Sequence, residues 1–429
     1  VSVATDGVSS MLRPFERPQY RRLALGLLFA LFADGIWTMA VVWQVIDLGG
    51  GAGQVSIVSA VSALGMMVST LGGGVLADRV SQRLIIIALE VLKVVAVGTA
   101  GVAAFTGHLT FVHLVGVAAI SGVTTGVYYP AYSALLPNVV AAQELQAANG
   151  VEGFLRPVVF QALGPVVAGA AIAIASPGLA LIVSAGSSVG AALCYLSMKP
   201  IESRVHSRAA ASSIIGDVVD GFRYMWRTPW LWATLFFATF LVLLTMGPIE
   251  VLVPFAIRER VHGDAADHSL VLAAFGAGAA IGSLIFAAIP IPRRYLTIMF
   301  GLWGLCGVPL VFFGVAEHLW VFIVAALVLG VAFDGPMVLW GTLLQRRVPP
   351  ELLGRVASLD FFVSVALMPV SMALAAPVAD AIGLTSTFVL GGLLPLPFAI
   401  VFYMLARLWR DELANPLREA EPVSVGDAQ

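Results

Sequence analysis

Twelve stretches of about 20 mostly apolar residues recur along the chain, each ending in a short polar or Gly/Pro-containing break. They fall at about 22–46, 55–77, 84–105, 110–134, 148–174, 178–197, 230–255, 269–290, 295–315, 319–341, 356–379 and 384–406. A helix rising 1.5 Å per residue needs roughly 20 residues to cross the hydrocarbon core of a bilayer, and each run meets that length. Membrane-barrel strands would show alternation over about ten residues instead. The pattern predicts an all-α, polytopic membrane protein with 12 transmembrane helices.

Composition excludes the alternative of a water-soluble fold. Hydrophobic residues make up 59% of the chain and charged residues 11%, with a mean hydropathy of +0.96. A water-exposed surface needs far more charge than that. The placement of charge also orients the chain, because Lys and Arg resist translocation and collect on the cytoplasmic side. Of 23 such residues, 19 fall on one side of a twelve-helix arrangement. Arg13, Arg17, Arg21 and Arg22 precede the first run, Arg79 and Arg83 follow the second, and Arg346, Arg347 and Arg355 follow the tenth. Only Arg258 and Arg260 lie on the other side. Both ends are therefore expected in the cytoplasm and the chain in the cytoplasmic (inner) membrane. The first run is too long for the apolar core of a cleavable signal and is expected to stay as an anchor. Cys194 and Cys306 sit inside apolar runs without CxxC or His neighbours, so neither a disulfide nor a metal site is expected.

The longest hydrophilic break, Lys199 to Trp230, divides the chain near its midpoint. The expected organisation is a cytoplasmic tail (1–21), a six-helix bundle (22–198), a cytoplasmic linker (199–229), a second six-helix bundle (230–406) and a cytoplasmic tail (407–429). Within the linker, Ile214, Ile215, Val218, Val219, Phe222 and Met225 recur at helical spacing, which predicts an interfacial helix with Trp226, Trp230 and Trp232 at headgroup level. A weak repeat supports the division. "LLPNVVAAQELQAANGVE" from Leu135 aligns without gaps on "LLQRRVPPELLGRVASLD" from Leu343, each stretch leaving the fourth helix of its half and entering the fifth.

Three motifs carry a family resemblance. "GGGVLADRVSQRLI" from Gly72 resembles the loop signature of the major facilitator superfamily at Gly74, Leu76, Ala77, Asp78, Arg79 and Arg83, with Ser81 and Gln82 in place of the usual Gly and basic residue. Gly suits close helix approach, and a carboxylate at a helix end can meet helix dipoles and a loop Arg to hold one conformation. "YYPAYSALLPNVVAAQELQAANGV" from Tyr128 is similar to the loop of the enterobactin-exporter-like and Tap-like multidrug efflux branch, at Pro130, Ala131, Ala134, Leu135, Leu136, Pro137, Val140, Leu145, Ala148 and Asn149. "GPVVAGAAIA" from Gly164 resembles the antiporter signature G-P-x-x-G-G at Gly164, Pro165 and Gly169, with Ala168 replacing one Gly. The resemblance implies the major facilitator fold, two parallel six-helix repeats with substrate bound between them. It further implies proton-driven export of drugs or siderophore-like compounds.

Ionisable residues inside a bilayer cost about 2.5–3.5 kcal/mol each on insertion scales, so each is a functional candidate. Asp34, near the middle of the first helix, is the leading one for a proton or substrate role, and the resembling branch also carries an acid there. Arg156 lies one turn after Glu152 in the fifth helix, where the two can pair or Arg156 can face a central cavity. Asp334, beside Gly335 and Pro336, is a second proton candidate or a partner for loop arginines. Glu90 and Lys93, three apart in the third helix, are expected to pair with each other or snorkel. Aromatic residues including Trp37, Trp43, Tyr128, Tyr129, Tyr132, Trp303 and Trp340 are available to line a cavity, with packing as their commoner role.

The reading that joins these features is a secondary active transporter working by alternating access as a monomer. Its expected partners are a small-molecule substrate, protons and the bilayer, with no nucleic acid, metal or cofactor. Competing readings are lipid or lysophospholipid flipping, solute uptake, and a non-transporting receptor or scaffold. No P-loop, metal cluster or nucleophile elbow stands in the sequence, so an enzyme is not expected.

Overall fold

The computed structural model describes residues 13–141, 144–200 and 214–417, apart from the side chains of a few helical residues, among them Gly74, Asp78 and 214–220. Twelve helices in these segments are long and apolar enough to cross a membrane. They are α1 (Pro18–Asp47), α2 (Ala52–Arg79), α3 (Gln82–Phe105), α4 (Phe111–Asn138), α5 (Ala147–Ile174) and α6 (Pro177–Ser197). The second set is α7 (Pro229–Val261), α8 (Ala265–Ala288), α9 (Tyr295–Val315), α10 (Leu319–Arg347), α11 (Arg355–Ile382) and α12 (Leu384–Leu405). An amphipathic linker helix (Ile214–Arg227) precedes α7, and a short helix (Leu408–Ala414) follows α12.

Local chemistry explains where the spans begin. Pro18, Pro177 and Pro229 open α1, α6 and α7, where the missing N–H costs nothing. The Asp264 carboxylate accepts from the amides of Ala266 and Asp267, and the Asp267 carboxylate accepts from the Asp264 amide. This reciprocal cap starts α8 at Ala265, four residues ahead of the apolar run at 269. Gly383, at φ +88°, turns α11 into α12. Two spans contain a widened π turn, Arg156–Leu163 in α5 and Pro248–Leu252 in α7. Each starts at or beside a proline (Pro157, Pro248), which withholds a helix hydrogen bond. The π turn carries α7 on to Val261, beyond the expected end at 255.

Five pairings build the first set of helices: α2 with α4, α1 with α6, α3 with α6, α3 with α4, and α1 with α5. The same five recur in the second set: α8 with α10, α7 with α12, α9 with α12, α9 with α10, and α7 with α11. The alignment of Leu135 onto Leu343, a displacement of 208 residues, carries Gly122 of α4 onto Gly330 of α10. Both are points of backbone contact. A Cβ on Gly122 would stand 2.0 Å from the Ser62 carbonyl oxygen of α2, and one on Gly330 2.1 Å from the Phe275 carbonyl oxygen of α8. Small residues let helices approach where no hydrophobic effect drives them together.

The halves meet through α2 with α11 and α5 with α8, contacts that are themselves related by the repeat. An even number of spans brings Pro18 and Leu405 to one face, here the chain-end face. Contacts between halves lie toward the opposite face and the middle. Trp43 Nε1 donates to His268 Nδ1 at 3.1 Å, and the Ala376 amide donates to Ser56 Oγ at 3.2 Å. Cβ atoms built on Gly169 and Gly276 would clash with Ser269 and with Gln161 respectively. Toward the chain-end face α5 and α8 part, as do α2 and α11, so the bundle opens there.

Candidate functional site

Backbone proximity fixes the position of Asp34. A Cβ on its neighbour Gly35 would stand 2.4 Å from the Phe160 carbonyl oxygen, and one on Gly164 2.7 Å from the Gly35 backbone. α1 and α5 therefore cross backbone against backbone one residue from Asp34. Across the bundle, Lys93 of α3 turns inward and places its Nζ 3.0 Å from Asp34 Oδ1 and 2.9 Å from Glu90 Oε1. Glu90 and Lys93 do pair with each other as their spacing predicts, but neither snorkels, and Lys93 reaches a second acid.

Burial within this group is graded. The Asp34 side chain is 24% exposed, Lys93 6% and Glu90 0%. The ammonium lies off the hydrogen-bonding directions of the Glu90 carboxylate, whose two oxygens receive no aligned hydrogen bond from the described residues. A wall of hydroxyls surrounds the cluster: Lys93 Nζ stands 5.8 Å above the Tyr128 ring, and the Tyr128 and Tyr195 hydroxyls are 2.6 Å apart. Ser184 and Ser187 of α6 donate to the Ala33 and Phe29 carbonyls and hold α6 on α1 beside it. Two carboxylates and one ammonium sum to a single negative charge, which one proton neutralises. A net charge held this deep in a bundle is costly unless it is paired or neutralised.

Arg156 and Glu152 pair at 3.5 Å, as i,i+4 spacing predicts. Arg156 is 46% exposed and lies 5.8 Å over the Tyr129 ring. Asp334 Oδ2 is buried without a hydrogen bond among the described residues.

The repeat register exposes a relation that α5 and α11 share. It carries Glu152 onto Asp360, Arg156 onto Ser364 and Tyr132 onto Trp340. Trp340 Nε1 donates to Asp360 Oδ2 at 2.9 Å, and Ser364 Oγ donates to Asp360 Oδ1 at 3.1 Å. Each half thus sets an acid on its fifth helix, bonded to the residue one turn on, and in the second half an aromatic residue of the fourth helix also donates to it. The aligned stretches end on Glu152 and Asp360, so the signal was present in the sequence.

Around the loop motif, Arg83 donates to the Tyr195 and Leu196 carbonyls at 3.0 and 2.7 Å, and Arg22 to the Ser197 carbonyl at 2.5 Å. Together they satisfy the carbonyl end of α6. Arg79 is exposed at the end of α2, and the surroundings of Gly74 and the side chain of Asp78 lie outside what the structure describes. In the antiporter-like motif, Gly164 and Pro165 are buried, with Gly164 against α1, while Gly169 meets Ser269 of α8 in the other half. Trp230, expected at headgroup level, is buried edge-on against Trp340 at 6.0 Å because α10 covers it. Trp226 is exposed. A crevice of about 770 Å³ opens toward the opposite face along α1, α2 and α11, lined by Val45, Ile57 and Pro377 among others, far from the charged cluster.

Residues 9–422 match the family model described as transmembrane secretion effector. Macrolide efflux protein A of Streptococcus pyogenes is 23% identical over 390 residues, covering 90% of this chain and 96% of that protein. The multidrug efflux pump Tap of Mycolicibacterium fortuitum is 26% identical over 409 residues, covering 91% and 98%. Among solved structures, the nucleoside transporter NupG aligns with a TM-score of 0.65 at 13% identity, covering 91% of this chain and 98% of that one. A bacterial homologue of the human lysosomal transporter Spinster, solved inward-facing and unoccupied, aligns with a TM-score of 0.66 at 16% identity, covering 92% and 98%.

Proposed function

Because the chain belongs to the transmembrane secretion effector family of the major facilitator superfamily, we propose that it exports amphipathic small molecules in exchange for protons. Its relatives are efflux proteins for macrolides and for multiple drugs, which supports the direction and the substrate class. The excess of Lys and Arg on the chain-end face supports a cytoplasmic location for both ends, in the cytoplasmic membrane. The opening between halves then faces the cytoplasm, the side from which an exporter loads. One chain supplies both halves of the pathway, which supports a monomer as the working unit.

The observation that carries the proton reading is the charge count at Asp34, Lys93 and Glu90, one negative charge inside a membrane bundle. Asp34, the exposed member, exchanges the proton with the opening, and Lys93 holds the second acid, Glu90, in reserve. Proton loading frees Lys93 from one carboxylate and loosens α3 from α1. The Gly35–Gly164 crossing transmits that change to α5, which packs on α8 of the other half. Asp334, with its unpartnered oxygen, and Arg156 supply polar contacts for the substrate.

The test uses inverted membrane vesicles energised to an acidic interior and a pH-sensitive dye. Adding a macrolide or a lipophilic dye should release protons from vesicles carrying the chain, and Asp34→Asn should abolish that release. Efflux that continues unchanged after the gradient is collapsed would overturn proton coupling. A fully active Asp34→Asn chain would remove Asp34 from the mechanism.

A further inference from the structure

A second polar site lies on the chain-end face, away from the opening between the halves. The linker helix, the start of α7, the end of α10 and the segment after the Leu408–Ala414 helix border an open cavity of about 550 Å³. Three arginines line it, Arg227, Arg346 and Arg347, together with one carboxylate, Asp411. Arg347 is fully committed. It pairs with both Asp411 oxygens at 2.5 and 3.1 Å, donates to the Tyr295 hydroxyl at 3.2 Å, and stacks 4.8 Å over the Trp230 ring. That arrangement consumes the negative charge that the described residues bring to the lining.

The other two cations are not consumed. Arg346 donates one N–H to the Leu417 carbonyl at 2.8 Å and makes no other side-chain hydrogen bond among the described residues, out of five donors. Arg227 is exposed and makes no side-chain hydrogen bond to the described residues. The cavity therefore presents two positive charges with free N–H donors around a floor made of Trp230 and the Arg347 guanidinium. The donor set suits a compact anion with several oxygens, and phosphate matches it best.

Depth decides which phosphate. The cavity sits where α7 begins and α10 ends, the level at which spans leave the hydrocarbon. Trp226, next to Arg227, is 67% exposed and packs edge-on against Phe236 of α7 at 5.8 Å, the placement of an indole at the headgroup layer. We propose that this cavity binds the phosphate of an anionic phospholipid headgroup, held by Arg227 and Arg346. A lipid seated there ties the linker helix to α10 and to the C-terminal helix. The inference does not depend on the direction or the coupling of transport.

The experiment takes the full chain in nanodiscs of equal phosphatidylglycerol and phosphatidylcholine and measures the lipid it retains on extraction by native mass spectrometry. Retention should favour phosphatidylglycerol at least about tenfold, a difference of about 1.4 kcal/mol. Arg227→Gln with Arg346→Gln should abolish the preference, while Arg293→Gln with Arg294→Gln, the same charge removed from another loop of that face, should keep it. Equal retention of both lipids overturns the proposal, as does a preference that survives loss of Arg227 and Arg346. Millimolar inorganic phosphate should leave the retained phosphatidylglycerol in place, and its displacement would identify a soluble anion as the occupant instead.

Discussion

The two halves use one set of helix pairings for opposite chemistry. Where α1, α3 and α6 meet, the first half sets Asp34 beside buried Glu90 and Lys93 among serine and tyrosine hydroxyls. At the related junction of α7, α9 and α12, the second half stacks Phe237 on Phe300 at 5.1 Å and Phe240 on Phe398 at 4.9 Å. Phe300 in turn packs on Tyr403 at 6.0 Å. The phenylalanine pairs of that junction carry no charge that could change. A charged junction has two states that differ by one proton. Under the proposed proton exchange, switching belongs to the first half, and the aromatic junction of the second serves as its counter-surface.

The largest effect should come from breaking the charged junction. Lys93→Met leaves two carboxylates facing each other without their cation, a loss of about 3–5 kcal/mol for a broken buried pair. Thermal unfolding in detergent should show it, and Glu90→Gln added to Lys93→Met should restore most of the loss by removing the second charge. If the two substitutions are additive, the three groups do not act as a unit. Phe300→Leu at the related aromatic junction should lower the melting temperature without altering how transport depends on pH. A changed pH profile there would erase the division of labour between the halves.

Next in size is the crossing that joins the junction to the interface. A Cβ on Gly164 would stand 2.7 Å from the Gly35 backbone, which cannot rotate away, so Gly164→Ala should cost about 1–3 kcal/mol by overpacking. Gly169→Ala presses on the Ser269 side chain of the other half. It should destabilise less and act instead on the balance between open and closed states. Labelling of a cysteine at Ser56, placed where the halves meet, should rise in Gly169→Ala and stay unchanged in Gly164→Ala.

The spans were legible because hydropathy over about 20 residues responds to the bilayer itself and hardly to tertiary context. Their ends were not. α8 begins at a cap made of aspartates, and α7 continues through a π turn to Arg258 and Arg260, so polar residues belong to both helices. The depth of Asp34 in the first span was legible from hydropathy. Lys93 was not, because its spacing to Glu90 already supplied a partner, and only the face that α3 turns toward α1 shows that it has two. The kinship of Glu152 and Asp360 was written in the aligned stretches after Leu135 and Leu343. Their chemistry was hidden, since the partners differ: Arg156 in one half, Ser364 and Trp340 in the other.

That difference predicts a smaller, asymmetric effect. Trp340→Phe removes the N–H that Asp360 accepts and should cost about 0.5–1.5 kcal/mol. Tyr132→Phe, the related change in the first half, should cost less, because Tyr132 stacks on Tyr128 at 6.0 Å and forms no hydrogen bond to Glu152. Equal losses by thermal unfolding would mean that the two acids are held in the same way.

The smallest effect separates the clasps on the chain-end face. In the first half Arg17 Nε donates to Glu144 Oε2 at 2.6 Å, and the Ala141 amide donates to the same oxygen at 3.0 Å. These bonds, the arginine's first, hold the Glu144 carboxyl below its ordinary range. A carboxyl whose value is lower folded than unfolded adds stability above its unfolded value, and loses it as pH falls through the folded one. Glu144→Gln should therefore lower the melting temperature slightly at neutral pH and flatten its decline on acidification below the ordinary glutamate range. The pair is at the surface, so the shift should be a fraction of that for Gly164→Ala and should shrink in high salt. The second half's clasp, Arg347 with Asp411, is less exposed and backed by Trp230. Asp411→Asn should exceed Glu144→Gln in effect and respond less to salt, and the reverse order would place the stronger clasp in the half that switches.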